Sequence, residues 1–416
     1  MPADAARLTR LTTLAVAVAL VARLAFAFGY WVGKPLNNDE IEYLQLGRSV
    51  AAGQGFTYAP AAGEHLDAAG YGRAPLYPVF VSIVARVTSP ATLIPALKAA
   101  QSVLGALAVW LLALVARHAG GPRTRVVTAW IAALYPPLVW LPSFLFSESL
   151  YVVLALANVL VLDAALASSD DPGRRNVRGL AIAGVLAGLA ALTRPAHVFF
   201  VGVTVLWLLS RRRLVWAAAF AAAALLTIAP WTVRNYVTYG RPVLIASEGG
   251  ITFWTGNHLL SPGEGDMAAN PAIKLESRRL RDAHPGLTAE QLEPIYYREA
   301  FQTIVTHPAW WLGLEIRKFF YLWVPIGPSY LLHSRPFLCA TWLSYGLLAP
   351  FGLFGLWRLA RSASPPRGLL LLLASAVVAC LVFLPQERFR IPVIDPALIV
   401  GAAAVVSVSR GRNSVS

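Results

Sequence analysis

The chain has 416 residues, of which 57% are hydrophobic and only 13% charged, with a mean hydropathy of +0.59. Apolar runs of about 18 or more residues recur from end to end, which marks a helical protein that crosses a membrane many times and excludes a soluble multidomain enzyme. The net charge of +14 sits in short arginine clusters between those runs, with no basic domain or nucleic-acid motif, so membrane topology accounts for it and nucleic acid is excluded as a partner.

Arg7 and Arg10 precede an apolar run that ends at Trp31. The run contains Ala25-Phe26-Ala27, a faint signal-peptidase pattern, but it is longer than a signal core and more spans follow. It reads as an uncleaved first span, Leu11 to Trp31. Positive residues in short loops mark the cytoplasmic side. The clusters Arg7/Arg10, Arg117/Arg123/Arg125, Arg174/Arg175/Arg178, Arg211/Arg212/Arg213, Arg358/Arg361/Arg367 and Arg410/Arg412 are therefore expected there, with both termini inside.

Residues 32–92 then form a first outer loop, with Asp39, Glu40, Glu42, Glu64 and Asp67 against Lys34, Arg48 and Arg73. Asn37 or Asn38 can cap a short helix, the acids suit its first turn, and Gly53 can end it. On that helix Asp39, Glu42, Tyr43 and Leu46 share one stripe while Glu40 and Leu44 take the next, so the adjacent acids diverge. Pro75–Val87 is short and proline-bearing and reads as an interfacial or re-entrant helix, leaving Leu93–Ala116 as the second span.

Further spans are expected at Val126–Leu141, from Ser149, and at Gly179–Leu192, Ala196–Leu209, Leu214–Trp231, Phe337–Leu356, Gly368–Leu384 and Ile391–Val408. The total is ten, or up to twelve if Pro75–Val87 or the aromatic, interface-like Trp310–Pro325 also crosses. Between spans seven and eight, Tyr236–Pro308 is polar and nearly balanced in charge. Thr288 with Gln291 forms a capping-box pattern there, and Leu292, Tyr296, Ala300 and Ile304 recur at helical spacing, giving a small, partly helical outer lobe. The expected architecture is an all-α polytopic bundle: an N-terminal transmembrane module 1–231 with the first outer loop, a lobe 232–309, and a C-terminal transmembrane segment 310–416.

On this topology Asp39, Glu40, Arg73, Glu148, Arg194, Arg234, Asn235, Arg388 and Arg390 collect on the outer face. Carboxylates and arginines at a membrane boundary suit transfer from a donor whose leaving group is a phosphate held in the bilayer to an acceptor hydroxyl or amine. A carboxylate takes the acceptor's proton and arginines hold the departing phosphate. Plainer roles stand beside this one. Glu148 can cap the helix that starts beside it, Arg388 and Arg390 can anchor helices at headgroups, and Arg194-Pro195 can mark a helix start. Arg23, inside the first span, must pair or snorkel.

His65, His258 and His307 lack ligand spacing, so zinc is not expected, while a divalent cation at Asp39, Glu40 or Glu148 stays open. Cys339 and Cys380 lie in apolar runs and suggest neither a disulfide nor a metal site.

Seven pieces run in order along nearly the whole chain: Asn38-Asp39-Glu40-x-x-Tyr43, Gly53-x-Gly55-Phe56, Arg73-Ala74-Pro75-Leu76-Tyr77-Pro78, Ser147-Glu148-Ser149, Thr193-Arg194-Pro195, Pro230-Trp231-x-x-Arg234-Asn235 and Glu387-Arg388-Phe389-Arg390-Ile391-Pro392. In them the chain resembles membrane glycosyltransferases of the GT-C fold. The match is to the bacterial glycosyltransferase family 39 group, which includes relatives of protein O-mannosyltransferases and of the aminoarabinose transferase acting on lipid A. The resemblance implies inverting transfer from a polyprenyl-phosphate sugar to a glycan, lipid or protein acceptor at the outer face of the plasma membrane. It implies Asp39 as base, with Glu40 and Glu148 assisting or orienting. Arg73, Tyr77, Arg194, Arg234, Asn235, Arg388 and Arg390 would bind substrate, the arginines on the lipid phosphate. Departures are Arg73-Ala74 where Arg-Pro is common, Phe389 where tyrosine is frequent, and a short outer lobe. The alternatives are a lipid-linked saccharide flippase or other transporter, and an O-antigen ligase or polymerase. A polar tunnel through the full membrane would favour transport.

Overall fold

The computed structural model describes residues 2–57, 72–167 and 174–412; the stretch 58–71, with Glu64, His65 and Asp67, lies outside the described residues. The helices are α1 (Pro2–Phe26, continued by a π turn at Ala27–Trp31), α2 (Asn38–Ala51), α3 (Leu76–Arg86), α4 (Leu93–Leu134), α5 (Pro136–Trp140), α6 (Glu148–Ala167), α7 (Arg174–Thr193), α8 (Val198–Ser210) and α9 (Leu214–Tyr239). They continue with α10 (Gly249–Asn257), α11 (Pro271–Asp282), α12 (Ala289–Thr306), α13 (Pro308–Trp323), α14 (Arg335–Ala360), α15 (Arg367–Val382), α16 (Glu387–Arg390) and α17 (Ile394–Arg412). No strand occurs among the described residues.

Six helices are long and apolar enough to cross a membrane: Asp4–Trp31, Leu93–Leu134, Glu148–Ala167, Asn176–Thr193, Leu214–Tyr239 and Arg335–Ala360. At 42 residues α4 would be about 63 Å long if straight, roughly twice the hydrocarbon thickness. It breaks at Gly121, whose φ of 86° is open to glycine, and Pro122 follows. Arg117, Arg123 and Arg125 bracket that break, so α4 is two helical segments joined at a basic corner. With the shorter apolar helices Pro195–Ser210, Arg367–Val382 and Ile394–Ser407, the expected ten segments are all present as helices. Leu76–Arg86 has only 11 residues, about 16 Å, too short to cross. The third segment ends at Leu134, ahead of Pro136 and Pro137, rather than at Leu141.

Apolar side chains turn outward over much of this bundle, Leu226, Leu343 and Leu347 among them, as a lipid-facing surface requires. With lipid outside, helices gain nothing by hiding leucines from each other, so close approach of small residues holds them together. α14 and α17 cross at Gly352, Gly355 and Gly401, where a Cβ on Gly355 would collide with the Gly401 carbonyl. α7 meets α9 in the same way, through Gly184 and Gly188 against Ala224 and Thr227. Arg23 resolves its buried charge on backbone: its guanidinium donates to the carbonyls of Ala19 at 2.9 Å and Ala132 at 3.2 Å.

The lobe forms its own apolar cluster from Ile251, Trp254, Ile273, Leu292, Tyr296 and Ala300. Asn270 and Thr288 stand ahead of α11 and α12, the latter with the capping box to Gln291. Lys318 on α13 ties lobe to bundle, its Nζ donating to Asn257 Oδ1 at 3.1 Å and to the Leu381 carbonyl at 2.8 Å. Asp39, Glu148, Arg194 and Arg388, remote from one another in the chain, are brought together by this packing.

The glycine crossing is testable. Gly355→Leu is expected to cost about 1–3 kcal/mol through overpacking, seen as a lower melting temperature in detergent. Gly346→Leu on the same helix, with nothing within 4 Å of a new Cβ, leaves the melting temperature near wild type.

Candidate active site

The site begins with a helix cap. Asn37 accepts the Glu40 amide at 3.1 Å, and Glu40 returns the contact by accepting the Asn37 amide at 2.9 Å. The other Glu40 oxygen accepts the Leu145 amide at 2.8 Å, so this buried side chain fastens the start of α2 to the strap that precedes α6. Burial pushes its carboxyl upward and those two amides pull it partly back. One residue earlier, Asp39 points the other way.

Asp39 lies between two guanidiniums: Arg73 Nη2 at 2.9 Å and Arg388 Nη1 at 2.5 Å. Burial alone would raise its carboxyl, but Arg388 and Arg73 together overcome this and hold it well below the usual carboxylate range. Arg73 also meets Glu42 at 2.5 Å and Glu248 at 2.7 Å. Arg388 reaches back to Glu148 at 2.9 Å, and Glu148 takes Arg194 at 2.6 Å. The result is an alternating run of charge, Glu248–Arg73–Asp39–Arg388–Glu148–Arg194. Aromatic faces hold the guanidiniums in place: Phe146 lies 4.3 Å from Arg388, and Phe389 lies 5.0 Å from Arg194.

A cavity of about 580 Å³ opens on this run. Asp39, Glu42, Arg73, Arg194, Glu248 and Arg388 line its charged side. Ala376, Ala379, Phe383 and Leu384, at the end of α15, line an apolar side, and Asp266, Met267 and Lys274 close it from the lobe. Glu248 sits just ahead of α10, where burial pushes its carboxyl up to about 7, Arg73 pulls it back, and Asp39 and Glu42 push further. The space has one charged wall and one apolar wall.

Not every residue singled out in the sequence reaches this space. Glu148 is fully buried behind the arginines. Tyr77 is equally buried, donates to Gln101 at 2.7 Å and packs edge-on against Tyr43. Asn235 uses its amide on the carbonyls of Val243 and Ile245, both at 3.1 Å. Arg234 lies on Trp231, 4.7 Å from the ring, and donates to Tyr239 at 3.2 Å. Arg390 pairs with Asp395 at 3.0 Å and donates to Tyr330 at 3.1 Å. Conversely, Glu42 and Glu248 belong to the cluster and were not among the expected site residues. The stripe shared with Asp39 was the available signal for Glu42, whereas nothing local marks Glu248.

Among the described residues no group of three histidine, cysteine or carboxylate side chains is arranged to hold a metal ion.

No protein-family model and no curated protein sequence matches the chain. Solved structures are similar to it. The archaeal oligosaccharyltransferase AglB from Archaeoglobus fulgidus, in complex with an inhibitory peptide and a dolichol-phosphate, aligns with a TM-score of 0.58 at 16% identity, over 97% of this chain and 52% of that one. The oligosaccharyltransferase of the same organism aligns in its apo form at 0.58 and 16%, over 97% and 51%, and with zinc and sulfate at 0.55 and 15%, over 97% and 49%. The fold is the GT-C fold of membrane glycosyltransferases. The chain spans about half the length of the oligosaccharyltransferases it matches.

Glu40→Ala tests the fastening between α2 and α6. Losing the acceptor for the buried Leu145 amide and the part-buried Asn37 amide is expected to cost about 1–3 kcal/mol, measured as a drop in the detergent melting temperature.

Proposed function

We propose that the chain is an inverting glycosyltransferase that moves a sugar from a polyprenyl-phosphate donor to an acceptor at the extracytoplasmic face of the plasma membrane. The observation that carries this reading is Asp39 held between Arg73 and Arg388 on the wall of a half-apolar cavity. The similar oligosaccharyltransferase with a dolichol-phosphate bound supports a lipid phosphate as the donor's leaving group. The three-part division into an N-terminal module 1–231, a lobe 232–309 and a C-terminal segment 310–416 goes with this reading, with residues lining the cavity drawn from all three.

In the reaction, an acceptor hydroxyl or amine attacks the anomeric carbon opposite the phosphate. The bond from carbon to phosphate oxygen breaks and its electron pair leaves with the lipid phosphate. Arg388 and Arg194 receive that charge, with Arg73 beside them. Asp39 takes the acceptor's proton. Two guanidiniums keep Asp39 ionised across the working pH range, and as the donor phosphate draws Arg388 toward itself Asp39 gains basicity when it is needed. Glu148 and Glu40 orient: the first fixes Arg194 and Arg388, the second fixes α2. Tyr77, Arg234, Asn235 and Arg390 support the site from behind. None of the residues lining the cavity belongs to the arginine clusters of the loops, which favours a reaction chamber over a transport path.

Asp39→Asn is expected to abolish sugar transfer in proteoliposomes supplied with polyprenyl-phosphate sugars while the protein stays folded and inserted; full activity would sink the assignment. Arg388→Ala should lower the rate about 10²–10³-fold, as for loss of one group stabilising developing negative charge. In cells lacking the protein, mass spectrometry of envelope glycans and polyprenyl-phosphate sugars should show an accumulated donor and a missing modification.

A further inference from the structure

Among the described residues the ion-paired cluster holds four carboxylates, Asp39, Glu42, Glu148 and Glu248, and three guanidiniums, Arg73, Arg194 and Arg388. Within it one negative charge is in excess. In a cavity, where charge is less well solvated than in bulk water, such an excess is relieved by taking up a proton. The four carboxylates are not equivalent. Asp39 and Glu148 each contact two guanidiniums, and Glu42 is met by two nitrogens of Arg73. Among the described residues Glu248 has one ion-pair contact, to an Arg73 that Asp39 and Glu42 already occupy.

Position makes the same distinction. Glu248 lines the cavity from the lobe, and Asp39 lines it from α2, with the single guanidinium of Arg73 between them. The other charged groups that face it are Glu42 on α2 and Arg388 on α16. Behind it, α12 brings Glu290 to the Ser247 hydroxyl at 3.4 Å and Glu293 to the Gly250 amide at 3.2 Å. Arg241 donates to the Glu290 carbonyl at 3.0 Å, facing away from the cavity cluster.

We propose that Glu248 is the terminal proton acceptor of the transfer reaction: the proton released by the acceptor nucleophile at Asp39 comes to rest on the Glu248 carboxylate. This rests on the glycosyl-transfer reading. The balance is complete: the nucleophile–anomeric carbon bond forms, the carbon–phosphate oxygen bond breaks with its electron pair going to phosphate, and the nucleophile's proton ends on Glu248. Asp39, gripped by two arginines, does not retain a proton; Glu248, set near about 7, does. An anionic donor adds negative charge to the cavity and raises the proton affinity of Glu248 further, so binding of substrate strengthens the acceptor.

The sign follows directly. Glu248 must be unprotonated to work, so activity rises with pH through a limb near about 7. Because kcat/KM reports the free protein and kcat the donor complex, the limb on kcat lies at higher pH. Glu248→Gln is expected to lower kcat about 10²–10⁴-fold, with little change in donor KM, and to remove the limb. Glu248→Asp restores both in part, which a merely structural residue would not do. Infrared difference spectra supply a readout independent of turnover: wild type shows a protonated-carboxyl component titrating near neutrality that is missing in Glu248→Gln, whereas the component from Glu264, which burial also pushes up to about 7, is common to both. A Glu248→Gln protein that keeps the limb, or a wild-type spectrum without the Glu248 component, overturns the assignment while leaving glycosyl transfer intact. A wild-type protein that transfers no sugar although the Glu248 component titrates overturns the glycosyl-transfer reading, and the proposal with it.

Discussion

A single run of alternating charge organises this protein, from Glu248 through Arg73, Asp39, Arg388 and Glu148 to Arg194. It joins α2, the segment before α3, the start of α6, the turn after α7, the approach to α10, and α16. Each arginine serves more than one segment or fixes one that does. Glu148 is fully buried, and breaking a buried pair by removing one partner typically costs about 3–5 kcal/mol, so the run is structural before it is chemical. A phosphate entering the cavity competes for the same guanidiniums. Cohesion of the empty site and affinity for an anion are thus two uses of one set of bonds.

Two arginines separated by one residue show how local the division of labour is. Arg388 faces the cavity. Arg390 turns into the bundle to Asp395 on α17, whose other oxygen accepts the Tyr135 hydroxyl at 2.9 Å. Tyr345 lies 4.0 Å from its guanidinium. α16 has only four residues, too few to hold itself, so Arg390 is the anchor that fixes Arg388 in place. Asp39 and Glu40 repeat the pattern on α2, one side chain offered to the cavity and the next given to backbone amides.

Much of this was legible in the sequence. Run length marked out the apolar helices, since lipid thickness is a constraint that acts on short stretches. The capping patterns at Asn37 and Thr288 were legible for the same reason. Helical periodicity alone separated Asp39 from Glu40. What could not be read was direction at the boundary. Tyr77, Asn235 and Arg390 share the level of the site, but their polar atoms are used on Gln101, on the Val243 and Ile245 carbonyls, and on Asp395. Sidedness places a residue at a depth, and tertiary packing decides which way it faces. Glu248 illustrates the converse, because its partner Arg73 is remote in the chain and no local spacing announces the pair.

Two of the shorter apolar helices, Pro195–Ser210 and Arg367–Val382, have a further consequence. Each has sixteen residues and reaches about 24 Å, against a hydrocarbon core of roughly 30 Å. They pack against each other, and their ends at Pro195, Ala379 and Cys380 line the cavity. A bilayer meeting helices that short thins locally, at a modest cost for each ångström of mismatch. Such thinning brings headgroups closer to the acid–arginine run. Under the proposed function, membrane thickness becomes a variable of the reaction.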